Sequence, residues 1–351
     1  SLAYDSRSLE LNVDYSLRYL FYQENDQENI DEFRDVQRAN MSADFFSGRP
    51  FTLRASETIT REPLDERDVN ADFNDSVNRT TVYRTRVTPE YRQRLTETFS
   101  ALFGYDYELV DYRADSAADW DEHTGRFSLQ KQLSSQTDIS ANYAYTLHSD
   151  DSEEDYDRQN YTLSLNHRAG SRLNLAVEGG VATIEYDSGA DYDINFWNLQ
   201  ADYRLSEALI LYSAYSQDFS NTAEDGLIES QDARLGLRYT KDRLTAHLEG
   251  TWALSSYQQQ VREDEIYGVN AELGVPLGTA FSMRFDAAYE QATYDDVTDE
   301  EVDSYELGAT IGYEYRRLLA SLGYRFRQND SDLDYNDYDN NIVNLRLSVT
   351  F

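Results

Sequence analysis

The 351-residue chain contains no cysteine. Disulfide frames, thiolate nucleophiles and zinc–sulfur sites are therefore excluded. Proline is scarce, at four residues, and methionine is rarer still, at two. No apolar run approaches the ~18 residues that a membrane-crossing helix needs, and apolar residues at helical spacing with caps are not sustained anywhere. No basic-then-apolar leader stands at the start, so an exported protein would have lost its signal peptide before this numbering. Bases are also few: 31 Lys and Arg face 66 acids, for a net charge of −35. A nucleic-acid partner is not expected of such a chain. Catalytic motifs are missing too. His123, His148, His167 and His247 lie on separate segments without H-E-x-x-H spacing, and no G-x-S-x-G or phosphate loop occurs, so no enzyme is expected.

What the chain does have is order-forming composition, with 40% hydrophobic and 13% aromatic residues, 29 of them tyrosine. That argues against disorder. The apolar residues alternate. Leu9, Leu11, Val13, Tyr15, Leu17, Tyr19 and Phe21 interleave with Glu10, Asn12, Asp14, Ser16 and Arg18. Leu244, Ala246, Leu248, Gly250, Trp252 and Leu254 repeat the pattern. A period of two specifies half-buried strands. Eighteen are predicted: 8–23, 33–47, 50–61, 77–88, 94–111, 122–133, 137–148, 158–168, 172–186, 193–204, 208–219, 230–240, 243–257, 265–276, 280–294, 304–315, 318–328 and 341–351.

The connections alternate as well. Short links such as "SGRP", "TPEYR", "LSEA" and "RR" follow even strands, and long acidic ones such as "DSEEDYD" and "DDVTDEEVD" follow odd strands. Of the 66 acids, 43 fall in the nine long connections beside only 3 bases, which leaves 23 acids and 28 bases elsewhere. A sandwich gives no reason for that separation, and a solenoid needs a repeat of fixed length. A closed antiparallel β-barrel in a bacterial outer membrane explains it. Paired strands leave no edge in hydrocarbon; short turns then lie on the periplasmic side and long acidic loops outside, with aromatic residues at the interfaces. Residues 1–351 are read as one such barrel domain, contacting outer-membrane lipid and lipopolysaccharide.

With the apolar side toward lipid, the other side lines a lumen. Its cationic candidates are Arg18, Arg38, Arg54, Arg84, Arg86 and Arg126, then Arg234, Arg238, Arg284 and Arg346. Acidic candidates on that side include Glu249, Glu272, Asp286 and Glu306. Such a wall is either a charge-balanced support or an anion-selective path, with Arg84, Arg86, Arg234 and Arg238 as the selecting residues. Asp330, Asp332, Asp334, Asp337 and Asp339 form an oxygen-rich cluster that suits weak Ca²⁺ binding, though without the Gly and terminal Glu of an EF-hand. No other cofactor is expected; in particular, no C-x-x-C-H is present to attach haem.

The ending resembles the C-terminal signature of bacterial outer-membrane proteins at Val343, Leu345, Leu347, Val349 and Phe351. In that family the signature engages the barrel-assembly machinery. More broadly, the hairpins "LGLRYT", "LGATIGYEYRR" and "ASLGYRFRQNDSD" and the ending "NLRLSVTF" resemble the small barrel proteins of exopolysaccharide export systems. That resemblance implies a conduit for polysaccharide export working with a periplasmic export partner. The alternatives are a general or selective diffusion porin, and a structural sheath for an electron-transfer or surface complex.

Overall fold

A computed structural model describes residues 2–17, 36–63, 79–114, 117–151, 154–189, 191–222, 226–257, 262–295, 300–333 and 337–349. Every regular element among them is a strand, and the strands form a nineteen-stranded antiparallel sheet. In order they are β1 (Leu2–Asp5), β2 (Leu9–Leu17), β3 (Gln37–Phe45), β4 (Phe51–Pro63), β5 (Arg79–Arg94), β6 (Phe99–Tyr112), β7 (Trp120–Ser134), β8 (Thr137–Asp150), β9 (Tyr156–Ala169) and β10 (Leu173–Tyr186). There follow β11 (Asp191–Arg204), β12 (Leu209–Thr222), β13 (Gly226–Lys241), β14 (Leu244–Tyr257), β15 (Arg262–Leu277), β16 (Phe281–Asp295), β17 (Glu300–Tyr315), β18 (Leu318–Ser331) and β19 (Tyr338–Val349). No helix among the described residues is long and apolar enough to cross a membrane.

The count corrects the expected eighteen by one. The four-residue β1 is too short to show periodicity, and it forms because Ser6 makes a tight hairpin. Its hydroxyl oxygen accepts from the Leu9 N–H at 3.2 Å, and its own N–H donates to the Leu9 carbonyl at 2.9 Å. A second correction concerns "TPEYR", expected as a turn. β5 runs through Pro89 to Arg94, and the turn is at 95–98. The β5–β6 ladder pairs Val87 with Tyr107 and resumes at Glu90 with Gly104. The gap falls where proline lacks an N–H to donate. The long connections are also shorter than expected. "REDEIY" and "EEVDSY" are strand in β15 and β17. Backbone pairing satisfies itself equally in water or lipid, so charged residues alone do not end a ladder.

Two compact units make up the chain: Ser1–Ser164 with Gly179–Asn195 and Thr222–Gly226, and Leu165–Glu178 with Phe196–Asn221 and Leu227–Phe351. In unit 1, β1 to β8 pair successively. In unit 2, β11 pairs with β12, and β13 to β19 pair successively. In each unit the short connections gather at one end of the strands, here the turn end, and the acidic connections at the other, the loop end.

The two faces differ in burial in the direction the alternation requires. Val343, Leu345 and Leu347 of β19 are 70%, 69% and 66% exposed. Leu322 and Tyr324, on the same face of β18, are exposed beside them. The face continues through Leu307, Tyr305, Tyr289, Val269, Leu248 and Leu235, all exposed. An apolar surface of this extent is stable against hydrocarbon and not against water. Near the loop end it meets a polar margin. The Tyr289 and Tyr267 hydroxyls donate to Asp303 at 2.6 Å and Glu265 at 2.7 Å, and the Trp252 Nε1–H donates to Glu265 at 2.9 Å. Rings on the apolar side with polar tips turned to the acidic rim are the pattern of a membrane interface.

Candidate functional site: the polar face of the sheet

The opposite face carries the charges, and in unit 1 they are largely matched. On β3 and β4, Arg54 Nε meets Asp44 Oδ1 at 2.6 Å. On β5 and β6, Arg84 and Arg86 converge on Glu108, Arg84 from 3.5 Å, and Arg84 also reaches Glu62 at 3.8 Å. On β6 and β7, Arg126 meets Asp106 at 2.5 Å, and the Thr88 hydroxyl donates to the same carboxylate at 2.7 Å. Arg38 donates to the Gln37 carbonyl at 2.6 Å. Arg18 lies outside the described residues. Arg84 and Arg86, the candidates for anion selection had the wall been selective, thus share one carboxylate, which removes much of their free positive potential.

In unit 2, Glu306 of β17 takes Arg325 at 3.0 Å and Arg327 at 2.6 Å from β18. Arg284 of β16 meets Glu272 of β15 at 3.4 Å. Glu249 accepts from the Tyr212 hydroxyl at 2.6 Å, and that hydroxyl also bonds His247. Arg238 lies over the Tyr212 ring, 5.1 Å from its centroid. Asp286 leans over Gly308. Arg234 and Arg346 are exposed and make no ion pair among the described residues.

Tyr212 is the polar-face residue that the alternation missed. Both faces of "LILYSAY" carry apolar residues, so periodicity there does not choose a side. The signal was on the neighbouring strand. Gly236 of β13 leaves room for the ring, and a Cβ there would collide with it. His148 and His123 are held by neighbouring rings and carboxylates. His148 stacks on Tyr156 at 4.4 Å and bonds Glu122 at 3.2 Å, while His123 on the apolar face bonds the Tyr105 hydroxyl at 2.5 Å.

At the loop end, the Asp332 carboxylate accepts from the Glu301 N–H at 3.1 Å and the Asp337 carboxylate from the Ser331 N–H at 2.7 Å. Asp330 pairs across from Asp303, and Asp339 across from Gln328. Asp334 lies outside the described residues. Among those described, no group of three or more His, Asp and Glu is placed to hold a metal. Val343, Leu345 and Leu347 share the exposed face of β19, whereas the Val349 side chain and Phe351 lie outside the description.

No protein-family model and no curated protein matches the chain. Solved structures do. The siderophore receptor PirA from Pseudomonas aeruginosa matches at 13% identity and a TM-score of 0.61, over 99% of this chain and 67% of that one. The FrpB iron transporter from Neisseria meningitidis (F3-3 variant) matches at 9% and 0.59, over 98% and 70%. The copper transporter OprC matches at 11% and 0.58, over 99% and 69%. The fold is that of bacterial outer-membrane β-barrel proteins. The chain spans about two thirds of the length of these structures. These proteins are named as transporters and receptors. At these identities they show the fold and do not bear on polysaccharide export.

Proposed function

We propose that the sheet closes into a barrel and that the barrel is a conduit for neutral, hydroxyl-rich solutes, with an exported polysaccharide as its cargo. One observation carries this reading: most guanidinium groups on the polar face sit against a carboxylate, from Arg54 with Asp44 to Arg327 with Glu306. What such a wall offers a passing chain is hydroxyl and amide hydrogen bonding rather than net charge. The acidic loop end favours cations and disfavours anionic polymers approaching that mouth. The resemblance to exopolysaccharide export proteins supports the same cargo class, and a periplasmic export partner and the barrel-assembly machinery are its expected partners.

The test is flux into liposomes holding the purified chain, comparing a neutral heptasaccharide with its sulfated derivative. Faster entry of the neutral sugar supports the proposal. Equal entry of the sulfated sugar, or no entry of either, overturns it. A second reading, uptake of a metal complex, is favoured by the fold shared with PirA, FrpB and OprC. Saturable quenching of intrinsic fluorescence by a ferric chelate, without sugar flux, would select it.

A further inference from the structure

Charge matching on the polar face of unit 2 fails at the turn end. There Arg243, Arg284 and Arg316 line one cavity of about 750 Å³, and Glu314 is the only acid among its lining residues. Arg243 belongs to the turn between β13 and β14, and Arg316 to the turn between β17 and β18, at φ 55°. Arg284 rises from the strand between them, with its side chain 64% exposed and, among the described residues, one ion pair, to Glu272 at 3.4 Å.

The register explains why there is a cavity. Thr245 faces Gly274, Gly274 faces Arg284, and Arg284 faces Thr310, while Ser282 faces Gly312 on the next row. Each glycine leaves a gap, and a neighbouring hydroxyl leans over it. A Cβ at Gly312 would stand 2.9 Å from the Ser282 hydroxyl, and one at Gly274 would collide with that of Thr245. The floor is thus hydroxyl-rich, and three cations face two carboxylates, Glu314 in the lining and Glu272 against Arg284.

We propose that this cavity binds a small anionic solute bearing phosphate or carboxylate groups. With Glu272 against Arg284 and Glu314 in the lining, the three guanidinium groups leave one positive charge uncompensated, which an anionic solute neutralises. Guanidinium groups hold such oxygens bidentately, and the floor hydroxyls supply further donors. The volume lies within the usual range for small-ligand sites. The site goes beyond the neutral-solute reading of the wall and does not depend on it.

The probes are inorganic pyrophosphate for phosphate and tricarballylate for carboxylate, titrated calorimetrically into the full chain in detergent. Saturable binding of at least one is expected. The double variant Arg243→Gln/Arg316→Gln should bind at least about tenfold more weakly, the loss of one to two charge-assisted hydrogen bonds. The control Arg168→Gln/Arg172→Gln, at the turn between β9 and β10, should stay within about twofold. Thr310→Leu keeps all three cations but fills the floor, and it should also weaken binding. Heat-modifiable gel mobility confirms that each variant has folded. The proposal is overturned if wild type binds neither probe, if both double variants weaken binding equally, or if Thr310→Leu binds as wild type does.

Discussion

On its polar face, the loop end of unit 1 buries Val82, Val110, Ala182 and Ile184 completely, with Tyr156 and His148 only 4% exposed beside them. The loop ends of the unit 2 strands bury Ile228, Ala292 and Val302, and with them the charged or polar Arg262, Asp264, Glu300, Asn329 and Ser331. Those polar groups are bonded to one another. Arg262 Nε donates to Asp264 at 2.9 Å, the Tyr257 hydroxyl donates to Asp264 at 2.8 Å, and the Ser331 hydroxyl donates to Glu300 at 2.6 Å. The two units thus order the same level of their strands with a different balance, unit 1 with its fully buried aliphatic side chains and unit 2 with buried charged groups bonded to one another. Apolar packing degrades gradually as atoms are removed. A polar cluster fails sharply, because removing one partner leaves the other buried without one.

The largest effect should come from Asp264→Ala. It removes a carboxylate partner from the Arg262 guanidinium, 8% exposed, at a cost of about 3–5 kcal/mol. Denaturant unfolding in detergent micelles measures it. A change near zero would mean that the guanidinium is solvated and that the contrast between units is not one of burial. Ile184→Ala in unit 1 should cost about 2–4 kcal/mol by the same assay. It should also raise single-channel conductance if this cluster narrows the passage. Unchanged stability would show that the site collapses without penalty.

The smallest effect separates the units by salt. In unit 2, Glu263 faces Asp295 and Asp303 faces Asp330 across their ladders. Like charges directly opposite repel by about 0.2–1 kcal/mol per pair. Screening shortens from ~30 Å at 0.01 M salt to ~3 Å at 1 M, so repulsion fades and these strand ends should gain stability as salt rises. Amide exchange at the loop ends of β15 to β18 should therefore slow between the two salts, while exchange around Val82 and Ile184 stays constant. An equal response in both places would remove the electrostatic half of the comparison.

The sequence by itself determined the strands, their alternation and the separation of charge between the two ends. All of these are local consequences of a period of two and of hydrocarbon excluding unpaired backbone. That is why β6 to β19 fall close to where alternation puts them, and why Val343, Leu345 and Leu347 share an exposed face. Its errors were local too. Pro89 looked like a turn because its missing N–H is visible in sequence, whereas the flanking ladders that tolerate it are not. The acidic runs looked like loops because charge is visible and continued pairing is not. Which carboxylate answers which guanidinium was decided only by tertiary structure, because Arg84 and Arg86 meet on Glu108 through the register between β5 and β6. So were the seating of Tyr212 over Gly236 and the gathering of Arg243, Arg284 and Arg316 around one cavity. Each depends on residues from two or more segments. Cross-strand register is fixed by the whole ladder, and no stretch of one strand carries it.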